Sequence, residues 1–388
     1  MFFGKKDRFE SKGSKYLERK AEEKEISDPL EIVLGYLKEK MFLSEYTGND
    51  DNMNEWSLGD EGRIIRDHLI RCWAGSTAKS MSNIRYIENI TSRSGTEYLI
   101  QIFAEDDLKV PFGFTRVIET DTEKFSSDKF SFRKRKSRKI VLEYATVPST
   151  SKDMQISWLE FVLDFIASCG IDSEDIETEY QNLSDNNDPD HYFFERYVIK
   201  NIYQFGAESI ATVSDKLDFE FENYDKKFPE DKKQRCFVHD DLRETDSFPH
   251  IIEVIIDIDR FILAVLLNNF TQARVRTSLI SSLKLPAVLA PVKCAVFPLS
   301  IVDHRTKIAT ERITAQFSKN FRTVTDEKGT LDMRKERYNE IGVPFFVEVD
   351  PEIVDNNLFR LHDNTFNTSS ELDIHDIIIY IKSKTNCK

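Results

Sequence analysis

The last third of the chain constrains its fold most. After Leu285, apolar runs typical of buried strands alternate with segments of helical period. The order is strand, helix, strand, helix, strand, strand and helix, over Lys293–Leu299, about Arg305–Phe317, Phe321–Val324, Met333–Ile341, Phe345–Val349, Leu358–Leu361 and Ile374–Lys384. Strands that alternate with helices form mainly parallel sheets. The sequence therefore predicts a separate α/β domain over residues 285–388.

The part upstream predicts a different architecture. Between Tyr98 and Val147 the strand-like runs YLIQIFA, FTRVIET, FSF and IVLEYATV are separated by polar turns, which is typical of an antiparallel sheet. Helical period recurs in Pro29–Lys40, Gly62–Trp73 and Ser157–Ser168. We expect a tail over residues 1–27 and an α+β core with an antiparallel sheet over residues 28–280.

The charge of the chain limits how it could contact nucleic acid. Its 388 residues carry a formal net charge of −14, and a uniformly acidic surface repels phosphate. One basic segment breaks this pattern, with six cations in seven positions: Arg133, Lys134, Arg135, Lys136, Arg138 and Lys139. The segment is either a solvated hairpin or a surface that contacts nucleic acid or a protein partner.

The cysteines and histidines indicate no metal site. The five cysteines are scattered without a CxxC pair, and no histidine has a second ligand at metal-binding spacing. This spacing predicts reduced cysteines and no structural zinc. The chain also has no Gly-rich phosphate loop and no obvious nucleophilic site.

Two segments carry a resemblance to a known family. Ser282–Ser300 (SLKLPAVLAPVKCAVFPLS) and Arg337–Asp350 (RYNEIGVPFFVEVD) resemble the C-terminal anticodon-binding domain of glycyl-tRNA synthetases and of the accessory subunit of mitochondrial DNA polymerase gamma. The similarity extends over residues 28–383. It implies a class II synthetase-like core followed by an anticodon-binding-like α/β domain.

The second class II motif is altered if this resemblance holds. In the family, a turn similar to Pro111-Phe112-Gly113 leads into Phe-Arg-x-Glu, whose Arg holds the α-phosphate of ATP and whose Glu orients the adenine or the amino group. Counted without gaps from Pro111, the Arg and Glu fall on Thr122 and Lys124. Thr122 has no charge and Lys124 reverses the sign. Removing one preorganised donor costs about 3 kcal/mol of barrier.

The third motif is retained only in part. It falls on residues 250–260, where Glu253 and Arg260 remain but the two expected glycines are Asp257 and Asp259. A carboxylate at the place where triphosphate approaches is electrostatically unfavourable. The resemblance thus predicts a degenerate ATP pocket formed by Thr122, Lys124, Glu253, Asp257 and Arg260, with no catalytic residue and no cofactor. The glycine-recognition segment, here residues 205–210, keeps at most one of its two carboxylates.

These expectations lead to one function and two alternatives. The first is a non-catalytic accessory (processivity) subunit of DNA polymerase gamma in mitochondrial DNA replication, with the polymerase catalytic subunit and DNA as partners and a mitochondrial location. The alternatives are a divergent glycine–tRNA ligase and a cytosolic, tRNA-binding pseudosynthetase. The sequence leaves open whether the protein forms a homodimer.

Overall fold

The computed structural model describes residues 29–47, 54–80, 83–87, 98–99, 109–121, 136–182, 195–219, 221, 236–275, 278–300 and 302–386. Every structural statement below refers to these ranges. None of their helices is long and apolar enough to cross a membrane.

The first part of the chain builds a sheet flanked by helices. Its helices are α1 (Pro29–Glu39), α2 (Asp60–Ser80), α3 (Ser151–Ser168) and α4 (Ile258–Asn268). Its strands are β1 (Leu43–Thr47), β2 (Asn54–Leu58), β3 (Ile84–Ile87), β4 (Phe112–Asp121), β5 (Lys136–Thr146), β6 (Ile176–Asn182), β7 (Glu195–Tyr203), β8 (Gly206–Asp215), β9 (Val238–Asp240), β10 (Thr245–Ser247), β11 (His250–Asp257), β12 (Phe270–Val275) and β13 (Ser278–Leu283).

Seven of these strands form one antiparallel-rich sheet. The order is β3-β4-β5-β11-β8-β7-β6, and all neighbours are antiparallel except β3 and β4. The predicted antiparallel sheet is therefore present. One part of the prediction is wrong, because Tyr98 and Leu99 are helical rather than extended. The predicted strand FSF lies outside the described residues.

The two faces of this sheet have different environments. Alternate residues of β5, β8 and β11 point towards the helices and form the main core, in which Trp73 of α2 and Trp158 of α3 are fully buried. The indole of Trp73 donates to Thr115 Oγ1 at 2.9 Å, which satisfies its polar atom inside the core. The opposite face, which we call the charged face, carries Arg116, Glu143 and Glu253 beside a smaller apolar cluster that includes Phe112, Phe114 and Ile251.

The last part of the chain builds a second sheet. Its helices are α5 (His304–Phe317), α6 (Leu331–Glu340) and α7 (Ile374–Thr385), and its strands are β14 (Cys294–Pro298), β15 (Thr323–Thr325), β16 (Phe345–Val349), β17 (Phe359–Asp363) and β18 (Thr368–Leu372). The order is β15-β14-β16-β17-β18. Every residue of β14 and β16 is buried, as expected for strands covered by helices on both faces.

This second sheet is mixed, which corrects the prediction of a mainly parallel one. β14 pairs in parallel with β15 and β16, whereas β17 and β18 join antiparallel. The segment between β16 and β17 holds only a short 3-10 turn, Val354–Asn356, and a parallel connection needs a longer crossover. After β16 the chain therefore reverses direction, and β17 pairs antiparallel to β16.

Close contacts join the two parts. Arg322, before β15, donates from both terminal nitrogens to the Glu61 carboxylate of α2 at 2.7 and 2.8 Å. Gly342 has φ +74°, and a Cβ at this position would lie 2.8 Å from Leu285 Cγ. The glycine of the Gly342-Val343-Pro344 turn is thus required both by its backbone conformation and by the approach of Leu285.

One cysteine departs from the expectation of reduced thiols. Cys72 of α2 is disulfide-bonded, while Cys169, Cys236 and Cys294 are free and buried. Spacing along the chain gives no information on such a pairing, because it depends on which segments meet in space.

Candidate functional site

Two carboxylates lie side by side on the charged face of the seven-stranded sheet. Glu143 of β5 and Glu253 of β11 are direct cross-strand partners, so their side chains share one face. Glu143 is only 2% exposed. Like charges placed directly opposite each other destabilise a sheet unless cations compensate them.

Two cations supply that compensation. Arg116 of β4 lies on the same face, with its Nη2 3.4 Å from Glu143 Oε2. Lys216, the residue after β8, places its Nζ 2.6 Å from Glu253 Oε1. All four side chains are largely buried. The formal charges of this group, which we call the ion-pair cluster (Arg116, Glu143, Lys216 and Glu253), sum to zero.

Asp257 has a structural role at the end of β11. It is the N-cap of α4, and its Oδ1 accepts from the backbone nitrogen of Arg260 at 3.1 Å. Burial raises the pKa of this carboxyl, and the nearby Arg260 opposes that shift. Asp257, at a position where the resemblance leads us to expect a glycine, thus begins a helix.

Arg260 is held by the protein itself. Its Nη1 donates to the carbonyl of Ser209 at 3.1 Å, and its guanidinium lies 3.9 Å from both Asp257 Oδ2 and Glu208 Oε2. The partners of Arg260 are thus Asp257 and Glu208. Asp259, the neighbouring carboxylate in sequence, is 5% exposed. The retained arginine is engaged in contacts that a nucleotide would have to replace.

The structure describes three of the five residues of the predicted ATP pocket. Glu253, Asp257 and Arg260 come together along β11 and the start of α4. Thr122 and Lys124 lie outside the described residues, so their assignment to the pocket stays a prediction.

The basic segment reaches this region through its last residues. Lys139 is the cross-strand partner of Asp257, and Arg138 Nε lies 3.4 Å from Glu119 Oε2 across the β4-β5 hairpin. The backbone of Lys136 begins β5. The other members, Arg133, Lys134 and Arg135, lie outside the described residues. The end of the basic segment and the predicted pocket are therefore neighbours on one sheet.

Sequence reasoning missed three members of the ion-pair cluster. A signal existed for Glu143, which stands inside the apolar strand run IVLEYATV, and for Arg116, which stands inside FTRVIET. A charge within a predicted buried strand implies a partner, but the sequence does not show which one. Lys216 follows a strand and gives no such signal.

A lysine at the junction of the two parts is also buried. Lys293 Nζ donates to the carbonyls of Ala287 and Val288 at 2.8 and 2.9 Å, and it lies 3.4 Å from His68 Nδ1 of α2. Burial, together with the charge of nearby Arg71, lowers the pKa of Lys293 to about 7. Burial, followed by the charge of Lys293, lowers the pKa of His68 to about 4. These groups tie the linker before β14 to α2.

A cavity of about 530 Å³ lies between α2, α3 and the second sheet. Its lining is mainly apolar and includes Asp363 and Lys384. The Asp363 carboxylate already accepts from Tyr380 Oη at 2.7 Å and from the Thr365 nitrogen at 2.9 Å. Lys384 Nζ lies 4.5 Å from the ring centre of Phe366. None of the four members of the ion-pair cluster lines this cavity.

The architecture is compatible with one class of protein. A large antiparallel-rich sheet with charged groups on one face, in a mixed α/β chain, is compatible with a class II synthetase-like fold. Among the described residues no group of three or more His, Cys, Asp and Glu side chains is placed to hold a metal ion.

Comparison with known proteins makes this class more specific. No protein-family model matches the chain. The glycine–tRNA ligase of Caldanaerobacter subterraneus subsp. tengcongensis is 22% identical over 374 residues, which cover 91% of this chain and 77% of that protein. The glycine–tRNA ligases of Agathobacter rectalis and Clostridium perfringens are 25% and 24% identical, over 71% and 69% of this chain.

These matches support a glycyl-tRNA synthetase-like protein. The matched region spans 58% of the Agathobacter enzyme and 56% of the Clostridium enzyme. The chain thus corresponds to little more than half the length of these two relatives.

Proposed function

We propose that this chain binds tRNA as a divergent glycyl-tRNA synthetase-like protein and does not activate glycine efficiently. The tRNA part rests on the relatives, whose name states that they join glycine to tRNA. The proposal that the chain does not activate glycine efficiently rests on one observation, the contact of 2.6 Å between Lys216 Nζ and Glu253 Oε1.

Electrostatics explains why this contact matters. Adenylate formation places growing negative charge on phosphate, and an enzyme stabilises that charge with preorganised cations or dipoles. In this chain Arg116 and Lys216 each contact a carboxylate of the protein. Arg260 lies close to two more. Positive charge directed at a phosphate would require at least one of these contacts to break.

A divergent glycine–tRNA ligase is the second candidate. The names of the relatives and the retention of Glu253 and Arg260 favour it. The relatives also favour the ligase over a polymerase accessory subunit, since all three relatives above carry the ligase name. The accessory role, with DNA, a polymerase catalytic subunit and a mitochondrial location, and a homodimeric state both remain hypotheses from the sequence.

The test compares two nucleic acids under one salt condition. A glycine tRNA transcript and duplex DNA of similar mass are titrated with the full chain, because affinities at different ionic strength are not comparable. We expect the tRNA to bind at least about ten-fold more tightly, a difference of about 1.4 kcal/mol. Equal or tighter binding of duplex DNA would contradict the proposal and favour the accessory role.

A second measurement decides the chemistry. Glycine-dependent exchange of pyrophosphate into ATP is followed for the same preparation, with one of the relatives as the positive control. We expect no exchange above the level without glycine. Exchange at a rate close to that of the relative would establish the ligase candidate and refute the non-catalytic part of the proposal.

A further inference from the structure

The backbone holds Lys216 at a defined place beside β11. The Lys216 nitrogen donates to the carbonyl of Ile251 at 2.9 Å, and the Ile251 nitrogen donates to the carbonyl of Leu217 at 3.0 Å. Leu217 has φ +53°, and its nitrogen donates to Asp215 Oδ1 at 2.8 Å. The Lys216 side chain therefore extends towards Glu253 from a turn whose backbone is held by hydrogen bonds.

A buried hydrogen-bond network holds the turn at residues 215–217. Ser151 at the start of α3 donates to Asp215 Oδ2 at 2.9 Å, and His250 Nδ1 lies 3.0 Å from Ser151 Oγ. Since the Ser151 proton is directed to Asp215, its oxygen accepts from the His250 ring. Ser151 and Asp215 are both less than a tenth exposed. The position of Lys216 thus follows from packing on both sides of the sheet.

The contact between Lys216 and Glu253 has the chemistry of a primary ammonium ion bound to a carboxylate. Glu143 and Glu253 face the same side; Arg116 pairs with Glu143, and Lys216 pairs with Glu253. Glu253 receives a compact cation with three donors at 2.6 Å. A free amino acid or an alkylamine carries the same group as the Lys216 side chain.

We infer that Lys216 is a tethered occupant of an ammonium-binding pocket formed by Glu253 and the neighbouring Glu143. The ε-ammonium fills the position at which the amino group of a small substrate would bind, so such a molecule enters only when Lys216 leaves. This inference deepens the proposed function by naming the contact that blocks the pocket. It does not depend on tRNA binding.

Chemical rescue tests the inference directly. Lys216→Ala removes three carbons and the ammonium group, which together correspond to n-propylammonium. We expect n-propylammonium to raise the Tm of Lys216→Ala in a saturable manner and to leave the wild-type Tm unchanged. 1-Propanol, which has the same chain without the charge, and sodium chloride at equal ionic strength serve as controls and should not reproduce the rise.

A double variant shows that Glu253 is the receptor. In Lys216→Ala/Glu253→Gln the affinity for n-propylammonium should fall at least about ten-fold, because the charged acceptor is gone. Rescue that is equal in the single and double variants would overturn the inference, as would equal rescue by 1-propanol.

A volume-conserving variant keeps the test valid if Lys216→Ala does not fold. Lys216→Met retains most of the apolar stem without the charge. We expect a non-additive cycle, in which Lys216→Met/Glu253→Gln is more stable than Lys216→Met alone, since no uncompensated carboxylate remains. Additive effects would refute the pairing in solution.

Titration of the Lys216→Ala variant with glycine, alongside tRNA binding, separates the two proposals. Glycine binding by the variant and not by the wild type supports the inference. If the wild-type chain does not bind tRNA, the proposed function is contradicted, but the rescue result still stands.

Discussion

Glu348 in β16 provides a sharp test of how the second sheet is stabilised. Its carboxylate is nearly buried, with Lys335 Nζ 2.6 Å and His362 Nε2 2.8 Å from Oε1, and with Arg360 Nη1 3.6 Å from Oε2. Burial by itself would raise the pKa of Glu348. The contacts with His362 and Lys335 outweigh burial and lower that pKa to about 2.

The lowered pKa fixes the sign of the pH effect. The unfolded carboxyl titrates near pH 4.5 and the folded one near 2. The stabilising contribution is therefore complete above about pH 4.5 and is lost as the pH falls towards 2. A difference of this size corresponds to about 3 kcal/mol. Glu348→Gln should lower the free energy of unfolding by about that amount at pH 7 and by much less near pH 3.

The assay has to report on the second sheet. All three tryptophans, Trp56, Trp73 and Trp158, lie in the first part of the chain, so their fluorescence follows the other core. Hydrogen exchange of the β16 and β17 amides, measured at pH 7, 5 and 3 in urea, reports on the region of interest.

An exposed partner of the same arginine serves as the control. Glu371 Oε1 lies 3.1 Å from Arg360 Nη2, but the Glu371 side chain is 44% exposed. Glu371→Gln should therefore cost no more than about 1 kcal/mol at any pH. The reasoning is refuted if both variants lose the same small amount, or if the Glu348→Gln effect does not decrease between pH 5 and 3.

Three further predictions concern other contacts. Arg116→Met should lower the free energy of unfolding by about 3 kcal/mol in urea, because it removes a cation that pairs with the buried Glu143; Arg116→Met/Glu143→Gln should recover most of this loss, and no recovery would contradict the pairing. Gly342→Ala should cost about 2 kcal/mol, because φ is +74° and the new methyl meets Leu285; an unchanged Tm would contradict that contact. Arg138→Ala should leave the Tm nearly unchanged, since its pair with Glu119 is exposed. The same variant should bind tRNA more weakly, and its affinity should depend less steeply on salt concentration. An unchanged salt slope would show that Arg138 does not contact the nucleic acid.

Much of the fold is predictable because burial leaves a periodic record in the sequence. β16 is found at its predicted bounds because it is a short, mostly apolar run, and α7 is found within one residue because it buries Ile374, Ile377 and Ile381 at helical spacing. β18 was missed because four of its five residues are exposed and show no apolar alternation. Strand direction was also mispredicted, since the apolar pattern of a strand is the same whether its neighbour runs parallel or antiparallel.

The candidate site was predictable only in part. Glu253 and Arg260 were found through the resemblance, and the structure places them at one strand and the helix that follows it. Their partners were not found. Lys216 and Glu208 lie on or beside β8, and their approach to β11 depends on strand order and register.

By itself, the sequence determined an antiparallel first part, an alternating second part and the presence of charged residues within apolar strand runs. Only the tertiary structure decided what those charges do. Pairing across a sheet is specified by register, and register brought Glu143 beside Glu253 and placed a cation on each. A buried charge is tolerated only with a partner, and strand order and register are what supply the partners here.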